Sequence, residues 1–234
     1  MIDLHSHILP GVDDGASDID KSVELVRELC NAGVTDVVAT PHYVDETSYN
    51  SKVTANTKLL KKLKTRLKKE KIDVQLYLGN EIYICNNILK LLNNGMISGL
   101  AGSKYLLVEL PMSGEFPSYY DVLLELIREG YFVVLAHPER YASFQKDFSF
   151  VTELHNMGVL MQCNLGSFAG LYGKSAFKLA SRMAKEDMIF AMGSDIHHAK
   201  GDKWIPSAIK KLGKFYDPLE LDEILTKNAK KILL

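Results

Sequence analysis

Asp3-Leu4-His5-Ser6-His7 opens the chain as a short, largely apolar strand carrying two histidines. Side chains alternate along a strand, so residues two apart share a face, and both imidazoles are predicted to point the same way at its end. The layout recurs down the chain. Asp36 to Thr40 is a buried-type strand that stops at Pro41-His42, and Val74 to Leu78 leads into Gly79-Asn80-Glu81. Tyr105 to Leu110 holds Glu109 near its end, Tyr131 to Ala136 closes on His137-Pro138-Glu139-Arg140, and Val159 to Cys163 follows. Met188 to Met192 ends at Gly193-Ser194-Asp195-Ile196-His197-His198.

Helical patterns separate these runs. Ser17 or Asp18 can cap a helix reaching Asn31, with Val23, Val26, Leu29 and Cys30 on one side. Further helices are predicted over 51–71, 87–92, 118–129, 148–157 and 175–185, and the remainder is helical with a break at Asp217-Pro218. Asn164 to Gly173 reads as a glycine-punctuated loop. Strand and helix alternate about seven times, and the near-continuous apolar strands are those of a parallel sheet covered on both faces. A closed α/β barrel is the favoured architecture, an open sheet the alternative, and residues 1–234 are read as one domain. In the helix over 51–71, Leu60, Leu63 and Leu67 form an apolar line opposite Lys58, Lys61, Lys62, Lys64, Arg66, Lys68 and Lys69. That cationic side is read as a solvated outer face, with docking of an acidic partner as the other reading.

Composition narrows the function. The 234 residues carry 47% hydrophobic and 24% charged residues and a formal net charge of -1, which argues against a surface built for nucleic acid. Cys30, Cys85 and Cys163 are odd in number and lack a CxxC spacing, as suits a reducing cytosol. No apolar stretch approaches the roughly 18 residues of a membrane helix, and no signal-peptide layout precedes the first strand. A cytoplasmic protein without membrane insertion is expected; an oligomer is left open.

His5, His7, His42, Glu81, Glu109, His137, Asp195 and His197 all fall where strands end. In α/β barrels those ends share one rim, where the active site is built. Imidazole and carboxylate together suit divalent Zn, Mn or Fe. Arg140, three residues after His137, is placed to bring a planar fork of donors to the same rim, with a surface salt bridge to Glu139 or a helix residue as the other reading. Tyr43, Tyr83, Phe116 and Phe168 are aromatic residues near the rim that could stack on a ring, with simple packing as the other reading. Mid-helix His155 is set aside.

Leu4-His5-Ser6-His7-Ile8-Leu9-Pro10 with Asp13-Asp14-Gly15, Ala39-Thr40-Pro41-His42, Gly79-Asn80-Glu81-Ile82, Ala136-His137-Pro138-Glu139-Arg140 and Ser194-Asp195-Ile196-His197 resemble the polymerase-and-histidinol-phosphatase (PHP) superfamily. The His-Pro-Glu-Arg block, the Asp-Asp-Gly loop and the glycine-containing segment 166–173 resemble its bacterial protein-tyrosine phosphatases of capsule and exopolysaccharide synthesis. The likeness covers nearly the whole chain. It implies a distorted (β/α)7 TIM-like barrel holding two or three ions, usually manganese, with iron or zinc as alternatives. By the same likeness His5, His7, Glu81 and Asp195 would hold a first ion. Glu81, Glu109 and His137 would hold a second, and Asp14 (or Asp13), His42 and His197 a third. Arg140 would bind phosphate, and Asp14 or a metal-held water would serve as acid. The implied partner is the phosphotyrosine-containing tail of a bacterial tyrosine kinase. The alternatives are a small-molecule phosphomonoesterase of the histidinol-phosphatase kind, a nuclease, and a non-catalytic metal-binding docking module.

Overall fold

The computed structural model describes residues 1–113, 119–201 and 203–234. Its strands are β1 (Ile2–Ser6), β2 (Asp36–Ala39), β3 (His42–Tyr43), β4 (Gln75–Leu78), β5 (Glu81–Tyr83), β6 (Tyr105–Glu109), β7 (Phe132–Ala136), β8 (Leu160–Asn164) and β9 (Ile189–Gly193). The helices that bear on the site are α1 (Ile19–Asn31), α2 (Val53–Lys69), α3 (Ile88–Asn93), α4 (Tyr120–Arg128), α5 (Ala142–Lys146), α6 (Ser149–Asn156), α7 (Leu165–Ala169), α8 (Gly173–Lys185), α9 (Trp204–Leu212), α10 (Pro218–Asp222) and α11 (Asn228–Leu233).

All pairings are parallel, in a three-stranded sheet β1-β2-β4 and a six-stranded sheet β3-β5-β6-β7-β8-β9. The two sheets are one ring. Thr40-Pro41 interrupts β2 before β3, and Gly79-Asn80 interrupts β4 before β5, so each pair is two halves of one stave. Glu81 N still donates to Pro41 O (3.2 Å) and Gly79 N to Ala39 O (2.9 Å). The last gap is bridged where Asp195 N donates to His5 O (2.8 Å) and His7 N to Ile196 O (3.1 Å). The result is a distorted barrel of seven staves, as expected.

Alternation sorts the core into two layers. In β6, Leu106 and Val108 pack outward under the helices, while Leu107 joins an inner cluster with Ile2, Leu4, Val38, Val134, Ala136 and Ala191. Ala229 and Ile232 of α11 belong to the same inner cluster. α1 begins at Asp18, whose carboxylate accepts from Asp20 N and Lys21 N. It buries Val23, Val26 and Leu29, and α2 buries Leu60, Leu63 and Leu67.

The structure corrects one predicted loop: residues 165–169 are the short helix α7, although a glycine lies in it. Its start is held by Glu139, whose Oε1 accepts from Asn164 N (2.9 Å) and from the Ser167 hydroxyl (2.6 Å). A side chain from a distant turn thus supplies the acceptor that local sequence does not. The predicted helix over 118–129 appears as α4, and Ser118 lies outside the described residues.

Candidate metal centre

The strand ends converge on one mouth. Glu81 is its middle: β5 places it in register with Leu107 of β6 and His42 of β3, and its side chain is fully buried. Glu81 Oε2 lies 3.1 Å from His5 Nε2, 3.2 Å from His7 Nε2 and 3.0 Å from His42 Nδ1, while Oε1 lies 3.0 Å from His137 Nε2. Asp195 Oδ1 approaches the same two histidines, at 3.5 Å from His5 Nε2 and 3.4 Å from His7 Nε2. Glu109 Oε1 is 3.6 Å from His137 and its Oε2 is 3.8 Å from His42. On the outer side, Asp14 Oδ1 lies 3.4 Å from His42 Nε2 and 3.3 Å from His197 Nε2.

Every ligand-type residue singled out for the mouth is therefore present in one cluster. Ligand-type atoms gather as His5, His7 and Glu81; as His42, Glu81 and Glu109; and as His7, Asp14, His42 and His197. The split differs from the expected one in that His42 is grouped with Glu81 and Glu109, while His137 is not in that group. Asp14 joins the cluster, whereas Asp13 turns to support it. Asp13 Oδ2 sits 2.8 Å from His7 Nδ1 and accepts from His42 N (3.1 Å), which leaves His7 Nε2 for the centre.

The donor set suits divalent cations. Buried Glu81 Oε2, His42 Nδ1 and His137 Nδ1 have no hydrogen-bond partner among the described residues. The first two lie 3.0 Å apart, and such groups are costly unless something fills their valence. The charges respond accordingly. Burial opposes the charge on His5, but Glu81 and Asp195 outweigh it and push the imidazole up to about 9. His7 is likewise raised, against burial, by Asp13. Glu81 and Asp195 are held well below the carboxylate range despite burial, chiefly by His5. Glu109, buried beside Glu81, rises to about 6. Asp14 is lowered to about 2 by its hydrogen bond to His197, so in this arrangement it is an anion at neutral pH.

Backbone strain marks the same spots. His137 (φ 35°) and Asp195 (φ 50°) are left-handed residues at the ends of β7 and β9, a conformation that costs non-glycine residues energy and concentrates at functional sites. Two glycines make room for the imidazoles. A Cβ on Gly193 would lie 2.7 Å from His5 Cβ, and one on Gly15 would strike His7 O at 2.2 Å.

Arg140 pairs with the cluster and not with Glu139. Its NH1 donates to Asp195 Oδ2 at 2.7 Å and its guanidinium stacks on Tyr172 at 4.5 Å. Sequence reasoning missed the supports behind the mouth. Gln162 Oε1 accepts from His5 Nδ1 (2.7 Å), Gln162 Nε2 donates to Asn164 Oδ1 (2.9 Å), and Asn164 Nδ2 donates to Asp195 Oδ2 (2.7 Å). Two polar residues spaced by two within the apolar strand β8 were the available signal. Glu28 of α1 is a second miss, accepting from Lys200 N (2.9 Å), Gly201 N (3.0 Å) and the Trp204 indole, which ties down the segment after His197. Of the aromatic residues proposed to stack on a substrate, Tyr43 and Phe168 are buried in the outer core and cannot do so. Tyr83 is half-buried, and Phe116 lies outside the described residues.

A seven-stave parallel barrel with a cation-ready cluster of histidines and carboxylates at its mouth defines a metal-dependent enzyme. The chain belongs to the family described as capsular polysaccharide synthesis, CpsB/CapC, whose model matches residues 1–234. It is 34% identical over 237 residues to the "Putative tyrosine-protein phosphatase CapC" of Staphylococcus aureus, covering 100% of this chain and 91% of that protein. It is 33% identical over 235 residues to "Tyrosine-protein phosphatase YwqE" of Bacillus subtilis, with the same coverage, 100% and 91%. Among solved structures it is similar, with a TM-score of 0.92 and 32% identity over 100% of this chain and 94% of the other, to a chain from "Crystal structures of YwqE from Bacillus subtilis and CpsB from Streptococcus pneumoniae, unique metal-dependent tyrosine phosphatases".

Proposed function

We propose that this chain is a metal-dependent protein-tyrosine phosphatase that removes phosphate from the tyrosine-rich tail of a capsule or exopolysaccharide tyrosine kinase, working as one catalytic unit over residues 1–234. The observation that carries the reading is the convergence of His5, His7 and His42 on a single buried oxygen of Glu81, with Arg140 at the edge of the same cluster. The family membership and the names of the relatives support it.

His5, His7, Glu81 and Asp195 would hold one ion, Glu81, Glu109 and His137 a second, and Asp14, His42 and His197 a third. Bound there, divalent ions, manganese by the family likeness, supply Lewis acidity toward phosphoryl oxygens and lower the pKa of water. The chain's own residues do the rest. Asp195 Oδ2 and the Tyr172 ring hold the Arg140 guanidinium at the edge of the cluster, where its remaining N–H groups could grip phosphoryl oxygens. Gln162 keeps the His5 proton on Nδ1, which leaves the Nε2 lone pair for the centre. Asp14, an anion here, serves as a ligand and not as the acid. A tyrosyl leaving group tolerates that, because a phenol of pKa about 10 departs with less proton assistance than an alcohol.

Activity of the manganese-loaded protein on a phosphotyrosyl peptide, histidinol phosphate and single-stranded DNA decides between the readings. Turnover of the peptide, abolished by chelation and restored by manganese, is the expected result. Cleavage of histidinol phosphate with the peptide left intact would assign the chain to small-molecule hydrolysis, and no turnover with fewer than two bound ions would make it a docking module.

A further inference from the structure

One charged feature takes no part in the mouth. α2 contains six lysines, one arginine and no acidic residue. The whole chain is formally -1, so everything outside this helix is net negative by eight charges. Lys58, Lys61, Lys62, Lys64, Lys68 and Lys69 are all exposed. Among the described residues none of the six makes a salt bridge, whereas Arg66 is held by Asp20 and Glu70. Lys58, Lys61, Lys62, Thr65, Arg66 and Lys69 line one shallow groove of about 500 Å³ down the outside of the helix.

A face that only needed solvation would not be built this way. Lys58 with Lys62 and Lys64 with Lys68 are like charges four apart, and Lys58 with Lys61 and Lys61 with Lys64 are like charges three apart, spacings at which repulsion destabilises a helix. Alternating glutamate and lysine would solvate as well and stabilise. The helix also begins without a side-chain cap and has no acidic residue in its first turn. Only its basic last turn is favoured by the helix dipole.

We infer that the exposed arc of α2 is a docking face for an anionic lipid surface. The face carries charge without shape. Its exposed residues are lysines, threonines and one alanine, with no aromatic or branched aliphatic side chain to anchor a peptide. Seventeen residues extend about 25 Å, a long, even stripe that suits a smeared headgroup charge. The apolar side, Leu60, Leu63 and Leu67, is committed to the core, so the helix lies on the surface and does not insert. Because α2 runs back from the mouth after β3 to the start of β4, docking leaves the mouth open sideways along the lipid plane. A substrate tethered to that surface would be within its reach.

The test is sedimentation of the manganese-loaded full chain with phosphatidylcholine vesicles with and without phosphatidylglycerol, over a salt series. Wild type should bind only the anionic vesicles and should lose binding as the Debye length shrinks. Each lysine near the surface contributes roughly a fivefold change in partitioning. The variant Lys58→Gln/Lys61→Gln/Lys62→Gln/Lys69→Gln should therefore bind on the order of several hundredfold more weakly. It should hydrolyse a small aryl phosphate at the wild-type rate, and its circular dichroism should report an intact fold. The corresponding fourfold Lys→Arg variant should keep binding. Failure of wild type to sediment with anionic vesicles at low salt, or equal binding by the glutamine variant, would overturn the proposal. Lysine-dependent binding to an acidic Glu/Tyr copolymer without binding to vesicles would reassign the face to an acidic protein and overturn it equally.

Discussion

The two ends of the barrel handle burial in opposite ways. Toward the start of the strands, Ile2, Leu4, Val38, Leu107, Val134 and Ala191 pack with Ala229 and Ile232 of α11, apolar on apolar. At the other end, five histidines and four carboxylates crowd into one mouth, with His5, His7 and Glu81 completely buried. The lower layer gains free energy for every methyl group removed from water. The mouth spends it on desolvated charge, and its residues have mutual contacts that satisfy only some of their valences. Stability and chemistry are thus separated along the barrel axis, only a few residues apart on the same strands. Leu107 and Glu109 of β6 are two positions apart and belong to opposite ends.

The sharpest way to break this separation is to change one residue at each end. Glu81→Gln removes the charge shared by four imidazoles, and hydrolysis of phosphotyrosyl peptide should fall at least about a thousandfold, with loss of bound metal by elemental analysis. Its melting temperature in chelator should move far less than its activity does. Leu107→Ala should do the reverse, losing about 2–5 kcal/mol of stability in denaturant unfolding while kcat per folded, metal-loaded molecule stays near wild type. If Glu81→Gln keeps wild-type turnover and metal content, the mouth is not the metal centre.

A pH series sharpens the same contrast in metal-free protein. His5, pushed up to about 9 against burial by Glu81 and Asp195, adds stability that is complete below its unfolded value near 6.5. That contribution is lost as pH rises through 9. Glu109, raised by burial and Glu81 to about 6, favours the fold while protonated, so it too loses stability as pH rises, across about 4.5–6. Glu81 and Asp195, held well below their usual range, contribute above about pH 4 and lose it only in acid. The melting temperature in chelator should therefore fall between about pH 6.5 and 9. Manganese should cancel the fall, because metal replaces the protons and binds more tightly as they leave. A chelated protein that becomes more stable over that range would contradict the arrangement of charges at the mouth.

Most of the barrel was legible because its strands are nearly pure apolar runs, and a run such as Phe132–Ala136 has no other stable place than a sheet covered on both faces. The ligand-type residues were legible because each sits at the step from such a run into a turn. Three things were not. β2 and β4 break and resume as β3 and β5 through Thr40-Pro41 and Gly79-Asn80, and where a stave resumes depends on its neighbours' free backbone groups. α7 is set by Glu139 from another turn, a contact that no local pattern carries. Tyr43 and Phe168 looked like rim aromatics from their position beside turns, but each is on the core side of its element. Position along a strand can be read from sequence more readily than the direction in which a loop residue leaves it.

Gln162 links the two ends, and the smallest of these effects tests whether its role is orientation or packing. It sits on β8 in register with Ala136 of β7 and Ala191 of β9, above the apolar layer. Its amide oxygen fixes the His5 tautomer, and its amide nitrogen passes order through Asn164 to the Asp195 oxygen that also receives Arg140. Removing such an outer support from a metal-ligating histidine typically costs about 10–100-fold in metal affinity. Gln162→Ala should therefore weaken manganese binding by that factor in calorimetric titration, with His5 nitrogen chemical shifts in the metal-free protein moving toward a tautomer mixture above about pH 9, where the ring is neutral. Gln162→Leu, close in volume but without the amide, separates the two roles: packing alone would restore affinity, whereas orientation by the amide leaves both amide-less variants equally weak. Full affinity in the leucine variant would place Gln162 with the apolar layer below it and move the boundary between the two ends up by one residue of β8.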